Sequence, residues 1–310
     1  MRGMRPVERA GQAVVITGGT RGIGAGIARA FLRAGAQVLV CGRSAAPGAA
    51  GPKGRDGVPV AGGQAAAFAQ ADVRDPEQAH RLIGTALDLF GRVDVVVSNA
   101  GGSPYADAAA ASPRLHARII ELNLIAPLHV AQSANAVMQG QSGGGSIIMV
   151  GSVSGTRPSP GTAAYGAAKA GLHHLVTSLA VEWGPKVRVN SVVPGFVATE
   201  TGSEHYGGAA GMAAVTATVP LRRMATPDDV AATCLFLSSP QASYVSGATP
   251  PWTTRTSPLM PAAAGPARYT TSGATCSGAS GSTAPSGGPP IRSAVMLVRA
   301  RGQMALARTP

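Results

Sequence analysis

Ala13-Val14-Val15-Ile16-Thr17-Gly18-Gly19-Thr20-Arg21-Gly22-Ile23-Gly24 decides the fold. Ala13 to Thr17 is apolar and β-branched and reads as a strand. Glycines 18, 22 and 24 follow at once, and a helical pattern runs from about Gly22 to Ala34. Such glycines let the backbone turn tightly and approach a pyrophosphate, while the helix N-terminus supplies N–H donors and the positive end of a dipole. The spacing is TGxxxGxG rather than GxGxxG. Its place between a strand and a helix near the chain start makes it a candidate phosphate cradle.

The pattern repeats outward from there. Gln37 to Cys41 is the next strand, Ala66 to Ala71 a weaker third, and Val93 to Ser98 a continuous apolar run expected of a strand buried on both faces. Ser146 to Val150 and Val187 to Val193 complete the set. Helices are predicted over Pro76–Phe90, Pro113–Glu121, Pro127–Met138, Ala163–Trp183 and Pro227–Leu237. Strands alternating with helices of this length predict an α/β fold, a single Rossmann-like doubly wound parallel sheet with helices on both faces. Ser44 to Gly63, with three prolines and six glycines, stands where a further crossover helix is expected and reads as a loop.

Composition narrows the class. The chain has 310 residues, 26 Lys+Arg against 14 Asp+Glu, and a net charge of +12. A balance that basic invites a nucleic-acid reading. Yet residues 250 to 310 hold six arginines and no Asp, Glu or Lys, so the first 249 residues carry 20 basic and 14 acidic side chains, a net of +6. Half of the excess therefore sits in one tail, and no nucleic-acid motif accompanies it. No apolar run approaches the ~20 residues of a membrane span. The N-terminus lacks the apolar stretch of a secretory signal. Cys41, Cys234 and Cys276 are scattered thiols that suit a reducing compartment and argue against disulfides and a zinc site, so the expected location is cytoplasmic and no metal is implied.

With Asn99-Ala100-Gly101 after the fourth strand and Pro194-Gly195 after the sixth, the TGxxxGxG turn resembles the short-chain dehydrogenase/reductase family. The resemblance covers about Ala13 to Thr249. The domains expected are an extension at 1–12, a dinucleotide-binding and catalytic domain at 13–249, and a low-complexity, disordered tail at 250–310. The cofactor type is argued on residues. The second strand ends in Cys41-Gly42-Arg43, with no acidic residue where NAD enzymes place one against the ribose 2′-hydroxyl. Arg43, joined by Arg21, can pair with a 2′-phosphate, which favours NADP(H) and leaves NAD(H) possible; the alternative is two solvated surface arginines. Gly18, Thr20, Gly22, Ile23 and Gly24 would line the phosphates. By resemblance, Asp72 accepts from the adenine amino group with Val73 beside it. Asn99 either steadies the central sheet beside the adenosine ribose or touches it directly. Val197 backbone groups and the Thr199 hydroxyl hold the carboxamide and pyrophosphate.

Tyr165 and Lys169 lie four apart on one predicted helix, so both face one side. Ser152 lies thirteen residues before Tyr165, just past the fifth strand, and ligands bind at the carboxyl ends of such strands. The family's Ser–Tyr–Lys arrangement has this spacing, and Asn123 matches its fourth member. A ketone that accepts hydride must gain a proton at oxygen. A free tyrosine titrates at about 10, and a neighbouring ammonium favours its phenolate. Lys169 is therefore expected to lower the Tyr165 pKa and to hold the nicotinamide ribose, so both residues count as cofactor-binding and catalytic. Ser152 orients the substrate oxygen, with Ser154 as a competing candidate. By resemblance, Asn123 positions a water that links Lys169 to solvent. Residues 201 to 219, rich in glycine and alanine, would form a substrate lid carrying His205 and Tyr206. His173 and His174 have no partner at metal-ligand spacing and read as packing or surface residues. Arg157 would border the substrate pocket, where it could meet an anionic or carrier-bound substrate.

Tyr244 to Thr249 resembles the family's last strand, which normally continues to Val-Asp-Gly-Gly. Here Pro250-Pro251-Trp252-Thr253 follows, and proline cannot donate to a sheet ladder. If Pro251 is encoded CCG, then with TGG for Trp252 and AC opening the Thr253 codon, the adjacent frame reads GTG-GAC, which is Val-Asp. A frameshift, in the gene or its sequencing, is the hypothesis for residues 250 to 310, and an uninterrupted frame in independently read DNA would sink it. The expected function is an NADP(H)-dependent oxidoreductase that interconverts a ketone and a secondary alcohol on a small-molecule substrate, with neither nucleic acid nor membrane as partner. The resemblance implies a homodimer or homotetramer. The rival reading is a catalytically idle dinucleotide-binding regulatory protein.

Overall fold

A computed structural model of the chain describes residues 9–44, 65–200 and 208–250. Six strands, β1 (Ala13–Thr17), β2 (Gln37–Gly42), β3 (Ala67–Gln70), β4 (Val95–Ser98), β5 (Gly145–Val150) and β6 (Val187–Val192), pair in parallel in the order β3-β2-β1-β4-β5-β6. The order reverses at β1, which pairs with β2 on one side and β4 on the other. A crevice opens at such a switch point, beyond the carboxyl ends of the strands.

Alternation along the strands divides the core in two. Val15 of β1 and Leu39 of β2 face α2 (Pro76–Phe90), α4 (Ala126–Gly140) and α5 (Ala163–Trp183). Val14 and Ile16 face the opposite way, against Ile27 and Phe31 of α1 (Gly22–Arg33) and Val230 and Cys234 of a helix at Pro227–Leu237. With both faces covered, β1 and β4 need no polar positions and are buried at every residue. Local signals set the helix ends. The Asp75 carboxylate caps α2 by accepting from Glu77 and Gln78 N–H, Pro76 opens its first turn, and Gly91 closes it at φ 72°. Cys41 and Cys234 are buried, and burial pushes their thiols up to about 11 and about 12.

Three expectations change. The predicted helices at 113 and 127 are one continuous path: α3 (Pro113–Ile120) passes through a π-helical turn at Glu121–Ile125 into α4. Part of the expected lid is helical, as α6 (Gly208–Thr218), because its alanines form helix readily without an amphipathic pattern. The helix at Pro227–Leu237 is therefore α7. Tyr244 to Thr249 forms no regular strand. Gly247 N–H donates to the Val189 carbonyl at 2.7 Å and Ser191 N–H to the Ala248 carbonyl at 2.8 Å, so two successive residues share bonds that one residue makes in a regular parallel ladder. The Ser44–Gly63 loop, beyond Ser44 itself, and the tail beyond Pro250 lie outside the described residues, as do Cys276, His205 and Tyr206.

Candidate active site

The glycine turn is built by crowding. Gly18 and Gly22 hold φ of 64° and 54°, a conformation that favours glycine. A Cβ on Gly24 would stand 2.2 Å from the Gly18 carbonyl oxygen, so α1 approaches β1 closely only without a side chain there. Arg21, at the N-cap of α1, makes no side-chain cap bond. The first-turn N–H donors are thus left without a protein cap, as an anion site requires. Thr199 closes the far side, its Cγ2 3.6 Å from where a Gly22 Cβ would be. Thr20 and half-buried Ile23 flank the turn. Val197 is buried and bridges in parallel to Ala225.

At the outer edge of the turn, Arg21 and Arg43 are both exposed. The Thr20 side chain lies 3.4 Å from the place of a Gly42 Cβ, which brings the residues before Arg21 and Arg43 together. Asp72 follows β3, and Arg74 holds its carboxylate well below the usual range through an ion pair that uses both oxygens. Val73 beside it is buried. Asn99 has a structural duty: its Nδ2 donates to the Thr17 and Gly18 carbonyls at 3.0 and 3.1 Å. The Thr17 hydroxyl, fully buried, accepts from Asn99 N–H and Ala100 N–H, both at 3.0 Å. β1 and β4 are therefore clamped together at the switch point.

Ser152, Tyr165 and Lys169 converge beyond β5. The Ser152 side chain lies beside the Tyr165 phenol and favours its ionised form, and the Ser152 hydroxyl accepts from Ser154 N–H at 3.1 Å. The bond uses the Ser154 backbone and leaves its hydroxyl uninvolved. Lys169 Nζ, 5.7 Å from the centre of the Tyr165 ring, is buried and donates to the Val150 carbonyl at 2.8 Å. Burial pulls the Lys169 ammonium down to about 8. Burial also pushes the Tyr165 phenol above its ordinary value, and Ser152 offsets only part of this. The Lys169 ammonium is turned to the Val150 carbonyl, and the influences on the phenol are burial and Ser152. Asn123 sits fully buried in the π-helical turn; its Nδ2 donates to the Gly102 and Ile119 carbonyls and its Oδ1 accepts from Gly102 N–H, all at 2.9 Å. A Cβ on Gly101 would meet Asn123 Oδ1 at 2.7 Å and Lys169 Nζ at 3.5 Å, so the amide and the ammonium flank one backbone position.

A family model described as enoyl-(acyl carrier protein) reductase matches residues 18–251. An uncharacterized oxidoreductase of Mycobacterium tuberculosis (strain CDC 1551 / Oshkosh) is 36% identical over 241 residues, covering 77% of this chain and 89% of the relative. The chain belongs to the short-chain dehydrogenase/reductase family. L-rhamnose 1-dehydrogenase (NAD(P)(+)) of Azotobacter vinelandii is 35% identical, over 76% of this chain and 93% of that one. Among solved structures, ligand-free aldohexose dehydrogenase of Thermoplasma acidophilum superposes with a TM-score of 0.68 at 26% identity, covering 79% of this chain and 93% of its own. This short-chain dehydrogenase/reductase is an oxidoreductase acting on hydroxyl and carbonyl groups of a small molecule, in a family that uses NAD(P). The crowded, uncapped glycine turn fits such a dinucleotide. Among the described residues, no helix is long and apolar enough to cross a membrane.

One contributor escaped the sequence reading of this short-chain dehydrogenase/reductase. His173, read as packing or surface, accepts from Ser152 N–H through Nε2 at 3.4 Å. Cβ atoms on Gly151 and Gly155 would fall 2.4 Å from its Nε2 and 2.9 Å from its Cε1, so the two glycines make room for the imidazole. Burial, helped by the Lys169 charge, pulls His173 down to about 4 and keeps it a neutral acceptor. The signal was present: His173 stands one helical turn beyond Lys169 and the glycines bracket Ser152. His174 is exposed.

Proposed function

We propose that the chain is an NADP(H)-preferring reductase of ketones and dehydrogenase of the matching secondary alcohols, with Tyr165 as general acid and base. The observation that carries this reading is the convergence of Ser152, Tyr165 and Lys169 at the carboxyl end of β5. The nicotinamide, when bound, supplies or accepts the hydride. The chain does the rest. Ser152 donates to the substrate oxygen and aims it at Tyr165, and Tyr165 gives the oxygen its proton in reduction and takes it back in oxidation. Lys169 restores the phenol proton from its buried ammonium. Both amide hydrogens of Asn123 are committed to carbonyls, so a relay through Asn123 to water would use an oxygen.

The preference for NADP(H) rests on Arg21 and Arg43, two exposed guanidiniums at the edge where no carboxylate ends β2. An idle regulator has no observation in its favour, since nothing in such a protein needs Tyr165 held between Ser152 and Lys169. The test is a panel of ketones and alcohols with NADPH and NADH. Tyr165→Phe is expected to lower turnover about 100- to 10,000-fold, and unchanged turnover would rule out the proposed acid.

A further inference from the structure

Among the described residues, burial lowers the pKa of three arginines, Arg9, Arg157 and Arg188. Two of them have protein acceptors. Arg9 donates through Nη2 to the Leu235 carbonyl, and Arg188 through Nη1 to the Val245 carbonyl at 3.1 Å. Four others, Arg33, Arg74, Arg92 and Arg223, pair with Asp228, Asp72, Asp94 and Asp229. Arg157 differs from both groups. Its Nε, like that of Arg9, is sealed from solvent with no hydrogen-bond partner, but unlike Arg9 none of its other N–H groups meets a carbonyl or carboxylate among the described residues. The group stands 5.4 Å from the centre of the Phe196 ring. An aromatic face attracts the cation but accepts none of the N–H bonds along its edge.

The place of the pair gives it meaning. Arg157 lies on the segment that links Ser152 to Tyr165, just beyond the 3-10 turn at Val153–Gly155. Phe196 follows Pro194-Gly195 beyond β6, the neighbour of β5. Val153 N–H donates to the Pro194 carbonyl at 3.1 Å and ties the two segments together. The guanidinium is therefore held over the carboxyl ends of β5 and β6, the end of the sheet where Ser152 stands. The phosphate cradle lies at β1, two strands from β5 in the order β1-β4-β5.

Resting on the proposed reductase activity, we infer that Arg157 receives an oxyanion carried by the substrate, so that the preferred substrates are oxo acids and hydroxy acids rather than neutral ketones and alcohols. A guanidinium fork matches a carboxylate or phosphate with two parallel N–H bonds. The Phe196 ring, 5.4 Å from the guanidinium, accepts none of its N–H bonds and leaves them for the ligand. Leaving a half-buried cation without an acceptor is costly, and an anionic substrate removes that cost on binding.

Straight-chain 2-, 3-, 4- and 5-oxo acids, their methyl esters and hydroxyacetone phosphate test this on the full chain with NADPH. The wild type is expected to favour at least one anion over its neutral partner by tenfold or more in kcat/KM, mainly through KM. Arg157→Leu is expected to erase that preference, bringing acid and ester to the same kcat/KM; Arg157→Lys is expected to keep part of it. Calorimetric binding of the same pairs gives a readout independent of turnover. An anion preference in binding that Arg157→Leu abolishes, with no ketone turned over, supports the oxyanion site and defeats the reductase reading. Equal binding of acids, phosphate and esters by the wild type, or a preference that survives in Arg157→Leu, overturns the inference and leaves the reductase reading standing.

Discussion

The backbone N–H of Ser152 points at His173 Nε2, 3.4 Å away, in a space that exists because residues 151 and 155 have no side chains. The contact requires an unprotonated Nε2. The pKa of His173 falls from 6.5 to about 4 on folding, so between these values the unfolded chain binds more protons and stability rises with pH. That contribution is complete above about 6.5 and is lost as pH falls through about 4. Discounted for a partly exposed ring, it amounts to about 1–2 kcal/mol. Urea unfolding of the wild type and His173→Gln should converge as pH falls from 7 to 4, with the wild type losing more. Parallel curves would show that the imidazole charge has no part in it.

Lys169 sets a second pH window. It gives up its proton near 8 when folded and near 10.5 when unfolded, so its burial costs stability at pH 7 and this cost fades as pH rises between the two values. Lys169→Met removes the charge and keeps most of the volume. The variant is expected to unfold no more easily than the wild type at pH 7, despite losing the bond to Val150, and to lose this relative advantage by pH 10. Its turnover should fall at least 100-fold at both pH values. A variant equally destabilised at pH 7 and pH 10 would contradict the assigned cost of burial.

Much of this was legible in the chain, for reasons that differ by residue. The sheet was readable because its strands are buried on both faces and so appear as unbroken apolar runs, Val14 to Ile16 and Val95 to Val97 among them. The spacing from Ser152 to Tyr165 to Lys169 was readable because one helix and one strand end fix it. The duty of His173 was not, since it is defined by a donor distant in the chain; Arg157 was readable as a pocket residue, but its lack of an acceptor among the described residues was not. The π-helical turn at Asn123 was hidden because its residues suit an ordinary helix equally well. α6 was hidden by an alanine-rich composition without periodicity.

Arg43 decides between cofactors if the 2′-phosphate reading holds. Arg43→Asp places a carboxylate at the end of β2, where it repels a phosphate and can accept from a ribose hydroxyl. Since Arg43 is exposed, stability should change by less than about 0.5 kcal/mol. The kcat/KM with NADPH is expected to fall at least tenfold and that with NADH to rise. No change in the ratio would leave Arg43 a solvated surface residue.

Gly24 tests the cradle itself. A methyl group at this position meets the Gly18 carbonyl oxygen at 2.2 Å and Asn99 Nδ2 at 2.6 Å, and the first of these is backbone that cannot step aside. Gly24→Ala must separate α1 from the turn, which costs about 1–3 kcal/mol by overpacking. Dinucleotide affinity should fall more steeply than that of Arg43→Asp for either cofactor, because the donors themselves move. Calorimetric titration with NADPH and NADH checks it, and wild-type affinity for both would place the nucleotide elsewhere.

Asn190 bears the segment that falls short of a seventh strand. Fully buried in β6, it donates through Nδ2 to the Val245 carbonyl at 2.8 Å and accepts from Ala248 N–H at 3.0 Å, supplying bonds that a regular ladder would make with backbone. The matched family region ends at residue 251, so this side chain anchors the last stretch of conforming chain. Asn190→Ala takes the acceptor from the Ala248 N–H and leaves the Val245 carbonyl with Arg188 alone, at a cost of about 1 kcal/mol for half-buried groups. Hydrogen exchange at Gly247 and Ala248 is expected to quicken far more than at Val14 or Val96 in the sheet centre. Equal acceleration everywhere would mean that 245–248 unfolds only with the whole domain, and that Asn190 merely fills space.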